Sequence, residues 1–569
     1  MNTYWPEGMP TSIDYPELTV GELITTAAKL YGDRTAFVDG EEQLTFAQLH
    51  AQACAFALGA RDAGVRDGDV ILLHLSNSLW FPVSYYGALL AGAAVSLANP
   101  LQPAPGLRTQ LIDTGAVLAV SHPSHVGTLR EAGTGSALRT VVVVPPSACV
   151  PCAEGRVVDD GAVALADFVA RRATVVEKAA ATADDVAHIA YTGGTTGISK
   201  GVRVLHRNIV ANVTQMTAWR AAHQVDTTED GGHRLRPIPG LDDAGVTPGD
   251  SVSVFVSPLF HAHALINMNF LLLCGTTIVL TGRFTPEGLL KAIERHRATY
   301  ITGSPTMWHG LLSSPEAGDR DLSSVRVISS GAAPIDRVTL QALESLFPTA
   351  VISEGYGLTE ATCLVTAGPL LRSRRRKLGS VGLPIIDTTV EVRPVIGSAA
   401  ALGPNEVGEL WVRGPQVTGG YLNQSEATAE QFVDGWLRTG DLGYVDEDGF
   451  VFISGRAKEM LIYKGYNVYP RELEDILHGH PHVGAAAVVG RCDPRVGQEP
   501  IAFVVPRPEA AVDPDEVMAY VAERVLPYKK IRAVHIVDAL PTTAAGKILK
   551  AELRARAEQD DRSATSSAQ

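Results

Sequence analysis

Cysteine is scarce in this sequence, six in 569 residues, and only Cys149 and Cys152 fall close together. Six cannot staple a chain of this length, and one CxxC without a second pair leaves a zinc site incomplete, so reduced structural thiols are expected. Basic residues are in deficit as well: 48 Lys and Arg face 62 Asp and Glu, a formal net charge of −14. That balance disfavours attraction to phosphate backbones and anionic membranes, and nucleic acid is not an expected partner. Long apolar runs are also missing. The longest, residues 265–280, is interrupted by Asn267 and Asn269, and the first residues lack a basic segment leading into an apolar one. No membrane span is expected, and the expected location is cytoplasmic. What is present, 46% hydrophobic and 19% charged residues, suits a folded globular protein, and the length calls for two or three compact units.

Residues 19–180 alternate helix-like stretches, such as 46–63, with short apolar runs, such as 70–75 and 141–144, the rhythm of α/β layers. A second α/β stretch covers 184–384, with strands expected at 251–256, 276–280 and 325–329. Pro, Gly and acidic residues mark 222–250 as an exposed insertion without assigned structure. Beyond Ile385, turn-rich runs predict a small β unit with strands at 388–393 and 408–413. A separate pattern follows Gly455: a helix at 471–480, strands at 485–489 and 501–505, and a helix capped by Asp513, with Pro514 in its first turn and Glu516 completing a capping box. The polar tail from Gln559 is expected to be disordered. The fold class is α/β: a large N-terminal domain of two α/β subdomains plus a small β subdomain (1–455), then a C-terminal α+β domain (456–558) and a tail (559–569).

The strongest chemical signal is Tyr191-Thr-Gly-Gly-Thr-Thr-Gly-Ile-Ser-Lys-Gly201. Three glycines in five positions let backbone N–H groups turn toward an anion, while Thr192, Thr195, Thr196 and Ser199 add hydroxyls and Lys200 adds charge. This is a phosphate cradle. It is not the loop of kinases and GTPases, because Ser199 precedes the lysine and Gly201 follows it.

The cradle resembles the signature of the adenylate-forming enzymes, the superfamily of acyl-CoA synthetases, coumarate-CoA ligases, firefly luciferase and the adenylation domains of peptide synthetases. Further matches follow in order: Pro258-Leu-Phe-His261, Ser330-Gly-Ala-Ala-Pro334, Gly355-Tyr-Gly-Leu-Thr-Glu360, Gly408-Glu-Leu-Trp-Val-Arg-Gly414, Thr439-Gly-Asp441, Gly455-Arg-Ala-Lys458 and Pro541-Thr-Thr-Ala-Ala-Gly-Lys547. They span nearly the whole chain. The resemblance implies an acyl-CoA ligase that uses ATP, Mg2+ and coenzyme A. It implies that Thr192, Gly193, Gly194, Thr195, Thr196, Gly197 and Lys200 wrap the phosphates, with Gly331, Ala332, Ala333, Gly355, Tyr356, Gly357 and Thr359 completing the nucleotide side. Tyr356 would stack on adenine, Glu360 hold the magnesium, and Asp441, backed by Arg456, accept the ribose hydroxyls. Lys547, Thr192, Glu360 and His261 are the implied catalytic set. The C-terminal domain is implied to be mobile, with Lys458 as hinge and Lys464, Gly465 and Tyr466 as the loop that enters for thioester formation. His261, Ser304, Thr306 and Gly331 are implied to line the acyl pocket.

His261 and His263 form an HxH pair, too few ligands for a zinc site. Arg372, Arg374, Arg375, Arg376 and Lys377 stand out against the acidic background, and a solvated loop is expected there rather than a contact to coenzyme A phosphates. The chain departs from the family at Gly193, where Ser is usual, at Ser199, where Pro is usual, and at Ala264, where Gly is frequent. The expected substrate is a small carboxylic acid, hydrophobic because the pocket segments offer no cation for a second carboxylate. Three alternatives stay open: an acyl-AMP ligase serving a carrier protein, a thioester-forming enzyme that takes a preformed acyl-AMP, and a non-catalytic nucleotide- or acyl-binding protein. A homodimer is compatible with the sequence.

Overall fold

In the computed structural model the described residues are 4–149, 161–170, 176, 179–192, 199–331, 335–371, 376–395, 400–464, 466–493, 495–508, 510–543 and 548–566, with side chains described to residue 559. The apolar run 265–280 resolves into the helix Ala262–Leu273, buried throughout from Ala264 onward, and the strand Thr277–Leu280. Its two asparagines are tolerated inside because each side chain donates one turn back, Asn267 Nδ2 to His263 O at 2.7 Å and Asn269 Nδ2 to Leu265 O at 2.9 Å. The helix His206–Ala221 is enclosed in the same way. Its polar side chains reach out to neighbouring backbone: Asn208 donates to Pro415 O, Asn212 to Leu364 O and Gln215 to Ile386 O. No described helix is long and apolar enough to cross a membrane.

Two large sheets flank these helices. The seven-stranded sheet is parallel through Leu118–Ser121, Val70–His74, Ala94–Leu97 and Val186–Thr192, and ends on the antiparallel strand Lys200–Leu205. The nine-stranded sheet sets Tyr300–Gly303, Val327–Ser330 and Val351–Gly357 side by side and parallel, so that Ser304, Gly331 and Tyr356 emerge at the carboxyl edge where such sheets present ligand sites. Thr35–Asp39 lies within the stretch read as the first α/β unit, yet it pairs in parallel with Thr277–Leu280 of the second sheet. Apolar patterning marks a strand without naming its partner. Gly408–Arg413, Trp436–Val445 and Val451–Arg456 form the antiparallel core of the small β sheet. The C-terminal sheet is built on Val483–Asp493 and Gly497–Pro506, with Ala533–Ile536 parallel to the latter.

Three expectations are corrected. Residues 222–250 are not structureless: His223–Thr227 and His233–Pro237 pair as an antiparallel hairpin, with Arg236 Nε on Asp226 at 2.7 Å. The helix Pro514–Ala522 is capped by Asp513 alone, which accepts from Asp515 N, and the box with Glu516 does not form. Helix Lys550–Ser566 runs into the stretch expected to be disordered, as far as Ser566; upstream, Leu553 and Ala557 pack on Val489 and Phe503. The described cysteines, Cys54, Cys149, Cys274, Cys363 and Cys492, are all free, and Cys152 lies outside the described residues.

Candidate active site

The neck of the glycine–threonine turn is a strand pair with Thr192 opposite Lys200. Ser199 Oγ donates to Thr192 O at 2.7 Å, and Thr192 Oγ1 donates to Lys200 O at 3.5 Å. The hydroxyl of Ser199 thus ties the neck at the position where the family carries proline. Gly193, Gly194, Thr195, Thr196 and Gly197 lie outside the described residues, as do Ala332, Ala333, Gly465 and Lys547.

The returning strand carries this neck to Glu360. Arg203 N donates to Gly420 O at 3.0 Å and Leu422 N to Gly201 O at 2.7 Å, bridging Tyr421 to Val202. Lys200 Nζ stands 4.8 Å from the centroid of the Tyr421 ring, and the Tyr421 hydroxyl donates to Glu360 Oε1 at 2.9 Å. Tyr421 was missed by motif reading, and its only local signal is the pair Gly419-Gly420 before it.

Glu360 follows the strand that bears Tyr356. The Tyr356 hydroxyl donates to Asp441 Oδ2 at 2.7 Å, and Arg456 Nε meets Asp441 Oδ1 at 3.0 Å. Asp441 and Arg456 are antiparallel partners in the small β sheet, so backbone register alone sets them opposite each other. Burial, reinforced by the Asp441 charge, pushes the Tyr356 phenol well above its ordinary pKa and keeps it a donor. Gly357 is obligatory, since a Cβ there would meet the Cys363 carbonyl oxygen at 1.5 Å. Thr359 opens the short helical turn Thr359–Ala361 that holds Glu360.

On the acyl side, His261 sits at the N-cap of the helix Ala262–Leu273 against Phe260, with ring centroids 4.6 Å apart. Burial lowers its pKa, so its ring is neutral at neutral pH. His263 Nε2 bonds Thr302 Oγ1 at 3.1 Å, and a Cβ on Gly331 would stand 3.1 Å from that same nitrogen. Ser304 is half-buried at the start of helix Pro305–Leu312, whereas Thr306 is exposed on it. Arg220, outside the segments read as lining the acyl pocket, is buried at the end of helix His206–Ala221 and donates to Asn267 on the His263 helix. Long-range packing brought it there, and no local pattern marks it.

Lys458 is exposed in the turn after Arg456, where Ala457 N donates to Gly440 O at 2.9 Å. Lys464 and Tyr466 are exposed at the tip of the hairpin Leu461–Tyr463 and Tyr466–Val468, with Tyr466 stacked on Tyr528. Of the basic run, Arg372, Arg374 and Arg375 lie outside the described residues. Arg376 pairs with Glu344, and Lys377 with Asp446 and Asp448, so these two are tied by carboxylates rather than free in a solvated loop.

The chain resembles known proteins along nearly its whole length. A sequence model of the AMP-binding enzyme family matches residues 24–422, and one of the AMP-binding enzyme C-terminal domain matches residues 472–547. The chain is 35% identical to 4-coumarate–CoA ligase-like 9 of Oryza sativa subsp. japonica, covering 94% of this chain and 92% of that protein. It is 33% identical to the long-chain-fatty-acid–CoA ligase of Yersinia pestis, covering 97% and 96%. Among solved structures, ATP-bound MatB from Rhodopseudomonas palustris superposes with a TM-score of 0.82 at 27% identity, covering 95% of this chain and 99% of that one. The protein therefore belongs to the adenylate-forming AMP-binding enzymes, as an AMP-forming acid–thiol ligase of the acyl-CoA ligase type.

Proposed function

We propose that this ligase activates a carboxylic acid with a hydrophobic body, fatty, aryl or polycyclic, as its acyl-AMP and passes the acyl group to coenzyme A. One observation carries the assignment of the site: the contacts from Lys200 through Tyr421 to Glu360, and from Tyr356 to Asp441 and Arg456, gather four of the motifs together with Tyr421. In the first step a carboxylate oxygen attacks the α-phosphorus and the bond to pyrophosphate breaks. Charge grows on non-bridging oxygens, where the turn's N–H groups and Lys547 act. Asp441 takes the ribose, and neutral His261 borders the carboxylate channel without competing as a cation.

Glu360 fits magnesium. It offers carboxylate oxygen, and no described group of three or more His, Cys, Asp or Glu surrounds it, so phosphate oxygens and water would complete the shell of a hard ion. Bound there, magnesium supplies charge neutralisation as pyrophosphate leaves. Rotation of the unit after Lys458 then withdraws Lys547 and brings Lys464, Gly465 and Tyr466 to the acyl-AMP, where the thiol attacks the carbonyl carbon and AMP departs.

The reading is tested by ATP–pyrophosphate exchange and by mass spectrometry of the thioester across a panel of acids. Lys547→Ala is expected to slow exchange roughly 100- to 1000-fold; exchange at the wild-type rate would remove Lys547 from the mechanism. If exchange is absent in the wild type while synthetic acyl-AMP is still converted to thioester, the enzyme takes a preformed adenylate. The tied neck at Ser199 favours full adenylation.

A further inference from the structure

Arg220 is 3% exposed and forms no ion pair among the described residues. Its Nη1 donates to Asn267 Oδ1 at 3.1 Å and to the Tyr300 hydroxyl at 2.6 Å. Nε has no partner, and Nη2 has none among the described residues. Nη2 stands 3.5 Å from where a Cβ at Gly355 would lie, a position that Leu364 Cδ1 at 3.1 Å and Thr366 O at 3.5 Å also crowd. A buried guanidinium is normally matched by a carboxylate, because an unmatched charge in the interior is costly. The carbonyl end of helix His206–Ala221 supplies only part of that compensation.

The position of this charge is informative. Asn267 lies six residues beyond His261 along one helix, about 9 Å deeper at 1.5 Å per residue. Tyr300 opens the strand whose other end delivers Ser304 to the mouth of the site. Gly355, against the guanidinium, directly precedes Tyr356. His263, which packs on Gly331, feels the Arg220 charge in addition to its own burial, and its pKa is pushed down to about 4. Arg220 therefore sits behind His263 and Gly331 and beside Gly355, with its Nε unshared.

We propose that Arg220 is a specificity-determining residue that closes the acyl pocket and donates to an oxygen at the far end of the acid, a hydroxyl, a carbonyl or a second carboxylate, so that the preferred substrate has a hydrophobic body and a polar terminus. This rests on the proposed acyl pocket. A buried charge without a carboxylate partner is what such a terminus needs: a donor whose interaction strengthens in a dry site.

The test compares matched acids of equal length ending in methyl, hydroxyl or carboxylate, in an alkyl and an aryl series, with AMP release and thioester measured for the wild type, Arg220→Lys and Arg220→Met. The wild type is expected to favour an oxygen-terminated member over its methyl counterpart by roughly ten- to a hundredfold in kcat/KM. Hydroxyl and carboxylate arms identify which oxygen it takes. Arg220→Met should collapse the ratio toward one, chiefly through KM of the oxygen-terminated acid, and Arg220→Lys should retain part of it. A wild-type preference for methyl termini overturns the proposal even if the variants fail to fold, and so does an equal loss on both members in Arg220→Met. If no acid in any series releases AMP, the adenylation reading falls instead.

Discussion

Asp441 is 4% exposed and spends both carboxylate oxygens on protein partners, Oδ2 on the Tyr356 hydroxyl and Oδ1 on Arg456. A carboxylate held at both oxygens is pre-oriented, and the ribose hydroxyl proposed to bind it would meet an acceptor that needs no reorganisation. Asn at this position keeps the shape but loses the charge that makes those hydrogen bonds strong. Asp441→Asn is expected to raise KM for ATP roughly ten- to a hundredfold, with a smaller change in kcat. Steady-state AMP release at varied ATP measures this, and an unaltered KM would remove Asp441 from nucleotide binding. Sequence reading singled out Asp441 through its motif, but not the Tyr356 hydroxyl as its partner, because the two are 85 positions apart.

At the scale of elements, the helix Lys550–Ser566 is fastened at its first residue. Lys550 Nζ lies 2.7 Å from Glu474 on helix Pro470–His478 and 3.1 Å from Glu459 in the turn after Arg456. Burial pulls the ammonium toward neutrality, yet the two carboxylates more than offset it and its pKa is raised. All three groups lie beyond Lys458, so the brace stiffens the C-terminal unit itself. Lys550→Met would leave two carboxylates without their cation and is expected to destabilise that unit by about 3 kcal/mol. Denaturant unfolding followed by a probe in the C-terminal sheet measures it, and a midpoint equal to that of the wild type would count against the brace. Strand and helix positions after Gly455 were legible from periodicity, whereas this ion pair was not, since charged residues on a helix usually face water.

For the whole molecule, the contact between the C-terminal unit and the large sheets is titratable. Half-buried Glu354 has its pKa pushed up to about 7, chiefly by burial, with Arg471, Arg376 and the Ile335 N–H pulling it down and Asp475 pushing it up. Arg471, Asp475 and His478 belong to helix Pro470–His478, and His478 faces Asp336 and His309 of the large domain. A carboxyl whose docked pKa exceeds its free value of 4.5 holds extra protons when docked, so its contribution is full below about 4.5 and is lost as pH rises to about 7. His478, lowered by burial, acts with the opposite sign. Comparison of Glu354→Gln with the wild type isolates the carboxyl: the variant should gain stability relative to the wild type progressively from about pH 4.5 to about pH 7. Thermal melts across that range follow it, and a difference independent of pH would contradict the role of Glu354.

The sequence by itself determined the family, placed strands at 70–75, 141–144, 251–256, 276–280 and 325–329 of the two large sheets, and singled out Glu360, Tyr356, Asp441 and Arg456 as candidates. These are carried by local patterns, glycine spacing, apolar period and short motifs, which survive in one dimension. Only the tertiary structure decided that Thr35–Asp39 joins the second sheet, that residues 222–250 hold a hairpin, that Tyr421 bridges the phosphate turn to Glu360, and that Arg220 lies unmatched behind His263. All but the hairpin are pairings between residues distant in the chain. Partners of that kind are chosen by what the packed interior leaves within reach, and no local pattern of residues encodes that choice.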